Sequence, residues 1–365
     1  MIPPLPHIAD MAAYALADLS VPEGKRLISL SQNEALRGPS PKALAAMESA
    51  ARGGHLYPDP DWTALRETLA SIHGVNAPQI LCGAGSLDLI GCIARAYLQP
   101  GLAALASAHA YPFFGSGTRM TGARFDTAPE TDLHANVDAL LAAVRPDTRI
   151  VFLANPGNPT GTRLPRAEIL RLREHLRDDI LFVLDEAYGE FADHLPEPMF
   201  DLAHRDDTII LRTFSKAYGL AGVRLGWGVF PDAVASQVRK LLNPNNVTLA
   251  SQAAAEAAAQ DQSWMLETCA QTASLRDAFA DRLRIAGFSP VPSFTNFTLI
   301  PFTSTEAAQD ADAFLKSEGV FLRPQAGAGL PHCLRATTGV AADMDFAATL
   351  LETWREREAA RRAGS

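Results

Sequence analysis

The sequence predicts an α/β protein in which a mostly parallel sheet is covered by helices on both faces, followed by a smaller α+β unit. Between residues 78 and 230, short apolar runs alternate with helical patterns. The runs are continuously apolar rather than alternating, as in strands buried on both sides. After about residue 240 the texture changes to long helical stretches broken by isolated strand-like segments. The chain of 365 residues is long enough for about two domains and needs no disulfide or metal to hold its core.

Residues 40–52 and 60–73 read as helices. In the second, Asp59 stands as the cap, Pro60 takes the first helical position, and Trp62, Leu65, Leu69 and Ile72 share one face. PQILC (78–82) reads as a buried strand, broken by Gly83 and Gly85, with a helix over 86–98. Another strand–helix pair covers 102–121. RIVFLA (149–154) is a strand that runs into the loop NPGNPTG, and a helix follows over 165–178. ILFVL (180–184) ends at Asp185, DTIILR (207–212) ends just before Thr213, and 225–230 is one more strand. The Ala-rich segment 250–260 reads as a packing or solvated helix, and helical patterning continues to about 286. NFTLIPF (296–302), a helix over 306–318, VFLR (320–323), CLRATTG (333–339) and a helix over 341–360 complete the chain.

Lys and Arg number 32 against 41 Asp and Glu, a formal charge of −9, which argues against a general nucleic-acid or anionic-membrane binder. Cys82, Cys92, Cys269 and Cys333 form no CxxC pair and no zinc-ligand run, so they are expected to be reduced, largely buried thiols, and no metal site is expected. No run of 18 apolar residues occurs, and no basic residue precedes Lys25, so neither a membrane span nor a secretory signal is expected. These features together predict a cytoplasmic protein.

Four motifs fall just past the carboxyl ends of predicted strands: GAGS (83–86), NPGNPTG (155–161), DEAY (185–188) and TFSK (213–216). Open α/β sheets bind their ligands at that edge. GAGS precedes a helix, and its backbone N–H groups with the helix start suit a phosphate. Asp88 occupies the third glycine position of a dinucleotide fingerprint, which disfavours a nicotinamide cofactor. Lys216 has two hydroxyls close by, Thr213 and Ser215, and Arg224 follows eight residues later. Hydroxyls and an arginine can hold a phosphate dianion, and a lysine beside them can form a Schiff base if burial and positive neighbours lower its pKa.

The run TFSKAYGLAGVRLG (213–226), with NPGNPTG and DEAYGEF, resembles the signatures of the class I/II pyridoxal-phosphate aminotransferases of fold type I. With YPDP (57–60) and LRATTG (334–339), the pattern is similar to the histidinol-phosphate aminotransferase branch, over about residues 28–355. The resemblance implies an aspartate-aminotransferase-like fold with a seven-stranded, mostly parallel sheet. It also implies an N-terminal arm over 1–35, a large cofactor domain over 36–245, and a linking helix with a small domain over 246–365.

The implied cofactor is pyridoxal 5′-phosphate, carried on Lys216, whose amine would also move the substrate proton. Asp185 would pair with the pyridine nitrogen, Tyr188 and Asn158 would hydrogen-bond the phenolic oxygen, and Tyr111 would stack on the ring. Gly85, Ser86, Leu87, Thr213, Ser215 and Arg224 would hold the phosphate. Tyr57 would reach the neighbouring subunit's cofactor, making the protein a homodimer. On the substrate side, Arg335 would clamp a carboxylate and Arg323 a distal phosphate, beside Asn158, with Tyr14 on a closing arm.

The implied reaction moves an amino group from a small-molecule donor to a 2-oxo acid, with histidinol phosphate and 2-oxoglutarate giving imidazole acetol phosphate and glutamate. An aromatic amino acid aminotransferase and, further off, a threonine-phosphate-type decarboxylase share the pattern. A non-enzymatic, cofactor-binding sensor would need a helix-turn-helix extension and a basic face. The chain departs from the branch at Ala35 and Leu36 within QNEALRG (32–38), where Asn and Pro are expected. Further departures are Leu87 and Asp88 in place of an Asp–Glu pair, and Trp227 where tyrosine is common.

Overall fold

A computed structural model of the chain describes residues 2–12, 20–192 and 199–363. Tyr14 lies outside the described residues. The strands in chain order are β1 (Ile28–Ser29), β2 (Ile80–Gly83), β3 (Ala103–Ser107), β4 (Arg124–Ala128), β5 (Thr148–Ala154) and β6 (Leu181–Asp185). They are followed by β7 (Thr208–Thr213), β8 (Gly226–Val229), β9 (Phe297–Pro301), β10 (Val320–Phe321), β11 (Arg323–Gln325) and β12 (Leu330–Thr337).

The large sheet has seven strands in the order β2-β8-β7-β6-β5-β3-β4. All adjacent pairs are parallel except those made by β8, which runs antiparallel to β2 and β7. β3, β6 and β7 are buried along their whole length, which explains why each is built around an apolar run (AALA, LFVL, IIL). β4 (RFDTA) is an edge strand with mostly exposed or half-buried residues. It carries no continuous apolar signal, and sequence reasoning passed over it along with the helix Val137–Ala143.

Strand ends move by a residue from expectation: Asp185 and Thr213 are the last residues of their strands, not the first beyond them. The helix expected from Pro60 instead begins at Thr63. Asp59 accepts from the backbone N–H groups of Asp61 and Thr63, so the carboxylate closes a turn that contains Pro60. Trp62 then enters the helix in a left-handed conformation, φ 51°, with its ring buried. The segment 320–323 is split between β10 and β11 instead of forming one strand.

A second unit contains the antiparallel sheet β11-β12-β9 and the parallel pair β1-β10. β1 brings the N-terminal segment into this unit, with Ile28 and Leu30 in a core that includes Phe279, Leu315, Leu351 and Trp354. Helix Leu249–Gln260 is a packing helix: Ala254, Ala255, Ala258 and Ala259 are buried in the core around the large sheet, and it lies against helix Pro41–Ala51. The small alanine side chains permit that close approach. All four cysteines are free and buried. Among the described residues, no helix is long and apolar enough to cross a membrane.

Candidate active site

The carboxyl ends of β2, β5, β6 and β7 and the β11–β12 hairpin enclose a cavity of about 820 Å³, lined by Asp185, Lys216, Arg224, Arg323 and Arg335 among others. Four motifs far apart in sequence therefore meet at one edge because parallel strands point their ends the same way.

At one end of the cavity, helix Ser86–Tyr97 starts from Gly85, whose φ of 91° is open to glycine. A Cβ there would lie 2.6 Å from Arg224 Nη2, so the missing side chain is what lets the guanidinium approach the helix start. Gly226 also lies so close to Ser86 N that no side chain would fit. Arg224 is itself left-handed, φ 57°, and its Nη1 donates to Ala221 O at 2.9 Å and lies 3.5 Å from Ser215 Oγ. Ser215 N donates to Thr213 Oγ1 at 3.1 Å. Helix N–H groups, two hydroxyls and a guanidinium in one cup fit a phosphate dianion.

Lys216 is half-buried on the cavity floor, and its Nζ donates to Asn33 O at 2.9 Å. Burial, together with the charges of Arg335 and Arg224, pushes its pKa down to about 7 against the opposing pull of Glu34. Asp185 is 4% exposed, and burial raises its carboxyl to about 7. A hydrogen bond from Ala187 N (3.0 Å) works the other way, and Glu186 adds a smaller push upward. No cation contributes to that balance, so Asp185 is a buried acid facing a cavity that can supply one. The protonated ring nitrogen of pyridoxal 5′-phosphate would be such a cation, and the glycine-lined phosphate cup is the second observation that fits this group.

Tyr188 packs edge-to-face on Phe297 at 5.3 Å, and burial raises its phenol to about 12. Asn158, between Gly157 and Pro159, accepts from Arg335 Nη1 at 2.5 Å, leaving its NH₂ as the donor the cavity can use. Arg335 also donates to Ser31 O at 3.1 Å and lies over the Phe297 ring. Arg323 faces Arg335 directly across the β11–β12 pair, and both line the cavity. Tyr111 stands at the start of helix Pro112–Arg119, lines the cavity, and meets Phe114 edge-on at 5.8 Å.

Gly85, Ser86, Leu87, Thr213 and Ser215 line the cavity too. Tyr57 does not: it is 87% exposed and outside this chain's own cavity. Trp227 is buried on β8 against the contacting rings of His73 and Phe200, away from the lining.

Three buried residues were missed: Asn33, which lines the cavity, and Asn296 and Thr337, which bond to it from behind the lining. Asn33 Nδ2 donates to Tyr188 Oη at 2.7 Å, and Asn296 Nδ2 donates to the carbonyls of Asn33 and Glu34. Their contacts span hundreds of residues and leave no local signal beyond the odd segment QNEALRG.

The aminotransferase class I and II family profile matches residues 25–351. The chain belongs to this aminotransferase family. The histidinol-phosphate aminotransferase of Rhodospirillum centenum is 39% identical, covering 96% of this chain and 98% of that protein. The one from Paramagnetospirillum magneticum is 42% identical over 92% of this chain and 94% of its own length. Among solved structures, the Sinorhizobium meliloti histidinol-phosphate aminotransferase in complex with pyridoxal-5′-phosphate superposes with a TM-score of 0.91. It is 32% identical and covers 96% of this chain and 97% of that one. In this aminotransferase, residues of all four strand-end motifs line the one cavity described above.

Proposed function

We propose that the protein is a pyridoxal-phosphate-dependent aminotransferase that moves the amino group of histidinol phosphate to 2-oxoglutarate, giving imidazole acetol phosphate and glutamate. The observation that carries the donor assignment is the cross-strand pair Arg323 and Arg335, two cations on the wall of the cavity that has Lys216 on its floor. Relatives named for that substrate, at about the same length, support it.

When bound, pyridoxal 5′-phosphate supplies a positively charged ring that can take up the electron pair left on a carbon that loses its proton. Lys216 is the residue for covalent attachment and for moving that proton. Burial and the charges of Arg335 and Arg224 hold its pKa down in the cofactor-free chain, so a free Nζ would readily give up and take back a proton. The Asp185 carboxylate would hold the ring nitrogen in its protonated form. Tyr188 and Asn158 would donate to the phenolic oxygen, and Tyr111 would cover a ring face. Gly85, Ser86, Leu87, Thr213, Ser215 and Arg224 would hold the phosphate in the cavity that Lys216 also lines. Arg335 would bind the carboxylate of the acceptor and Arg323 the donor's phosphate. The same reading includes the division at residues 35 and 245, a cytoplasmic location and a homodimer. The 87% exposure of Tyr57 supports the dimer, because a tyrosine so open to solvent in one chain is available to complete a partner's phosphate cup.

A donor panel tests the assignment. With 2-oxoglutarate as acceptor and glutamate formation as readout, histidinol phosphate is expected to exceed histidinol and the aromatic amino acids in kcat/KM by at least about a hundredfold. Arg323→Gln should remove most of that preference. Equal rates for the phosphorylated and dephosphorylated donors would retire the assignment.

A further inference from the structure

Resting on the reading of Tyr188 above, we propose that Thr337 and Asn33 form a positioning relay that fixes the direction in which the Tyr188 hydroxyl donates, aiming its hydrogen into the cavity. The argument is a count of hydrogens. Asn33 is buried and left-handed, φ 55°, and its backbone N–H donates to Thr337 Oγ1 at 2.9 Å. Thr337 therefore keeps its single hydroxyl hydrogen for another acceptor, and Asn33 Oδ1 lies 3.2 Å away. That bond assigns the Asn33 carboxamide: the oxygen faces Thr337 and the NH₂ faces Tyr188. Nδ2 then donates to Tyr188 Oη at 2.7 Å. A phenol has one hydrogen, and with the oxygen already accepting on the Asn33 side, that hydrogen is turned away from Asn33 toward the cavity that Tyr188 lines.

The relay is held from both units of the fold. Thr337 follows Arg335 by two residues on β12, so one strand face delivers both, and Thr337 N is anchored on Leu30 O at 2.8 Å. The Asn33 carbonyl accepts from Lys216 Nζ and from Asn296 Nδ2. The contacts are 155 and 304 positions apart in sequence. Charged and titratable groups acting on this corner are Arg335 and Asp185 on Tyr188, and Arg335, Arg224 and Glu34 on Lys216.

The test is the pH titration of the bound cofactor's absorbance in the holoenzyme, with kcat and KM beside it. The variants are Thr337→Val, Thr337→Ser, Asn33→Gly and Tyr188→Phe. Asn33→Gly keeps the left-handed backbone and the carbonyl that faces Lys216, and removes only the carboxamide. Thr337→Val keeps the side-chain shape and loses the hydroxyl. Both are expected to move the titration in the same direction as Tyr188→Phe, by about threefold or more in acid dissociation constant, and to lower kcat about tenfold with less change in KM. Combined with Tyr188→Phe, neither should add a further shift, and Thr337→Ser should behave as the native protein. A titration that moves in Tyr188→Phe but not in Thr337→Val or Asn33→Gly overturns the relay alone. Additive shifts overturn it as well. No movement in Tyr188→Phe overturns the assigned role of Tyr188 and the relay together.

Discussion

Asp185 and Glu186 are consecutive acids, equally buried at the end of one strand, and the protein treats them in opposite ways. Glu186 points away from the cavity onto Arg212, whose Nε and Nη2 donate to its Oε2 at 3.0 and 2.8 Å. Glu190 takes the other side of the same guanidinium at 3.3 Å. Gly189 has no side chain to collide with Arg212, so the triad closes within the protein. Asp185 has a backbone N–H and no cation, and its carboxyl is pushed up to about 7. A buried charge that the chain compensates itself is part of the fabric. One left uncompensated beside a cavity is a candidate partner for a cationic ligand group.

Substituting each side of this comparison should separate activity from stability. Asp185→Asn removes the charge that would hold the ring nitrogen protonated, and transamination is expected to fall about a thousandfold. The cofactor-free protein should melt no lower than the native one, because a desolvated carboxylate has been removed. Steady-state kinetics and thermal denaturation of the apoprotein check both halves, and a large drop in melting temperature would break the comparison. Arg212→Met should do the reverse. It leaves Glu186 and Glu190 buried without their cation and is expected to cost about 3–5 kcal/mol, measured by chemical denaturation. The protein that remains folded should lose much less activity per molecule than Asp185→Asn does.

The third effect concerns pH. In the apoprotein the Asp185 carboxyl is raised from 3.8 to about 7, so between those values the folded state binds more protons than the unfolded one, and this group makes stability fall as pH rises. Lys216 is lowered from 10.5 to about 7, so between about 7 and 10.5 the unfolded state holds more protons, and stability recovers as pH rises. Together the two contribute a dip centred near neutral pH. Apoprotein melting curves across pH should show Asp185→Asn flattening the acid side and Lys216→Met the alkaline side. A native profile without these slopes would show that the two groups are not uncompensated.

Much of the site was legible because its chemistry is written in short, contiguous motifs. Lys216 with Thr213, Ser215 and Arg224 sits within a dozen residues. Asp185 and Tyr188 are three apart. Asn158 is marked by the prolines and glycines of its loop. Arg323 and Arg335 were expected to bind substrate only through the family resemblance of their two short runs, and the hairpin sets them opposite each other. The edge strand β4 and the true start of the helix at Thr63 were not legible. β4 lacks apolar continuity because an edge need not be buried on both faces. The Asp59 carboxylate suits a turn as well as a helix cap, and only packing of Trp62 decides between them.

By itself the sequence determined the α/β class, the strands buried on both faces and the four motifs at their carboxyl ends, since these follow from local patterning and from motifs that a strand end keeps together. The tertiary structure alone decided which buried charges are neutralised and which are left waiting, that Asn33 and Thr337 stand behind Tyr188, and that Tyr57 faces solvent. Those outcomes depend on desolvation and on contacts between residues hundreds of positions apart, and neither quantity exists until the chain is folded.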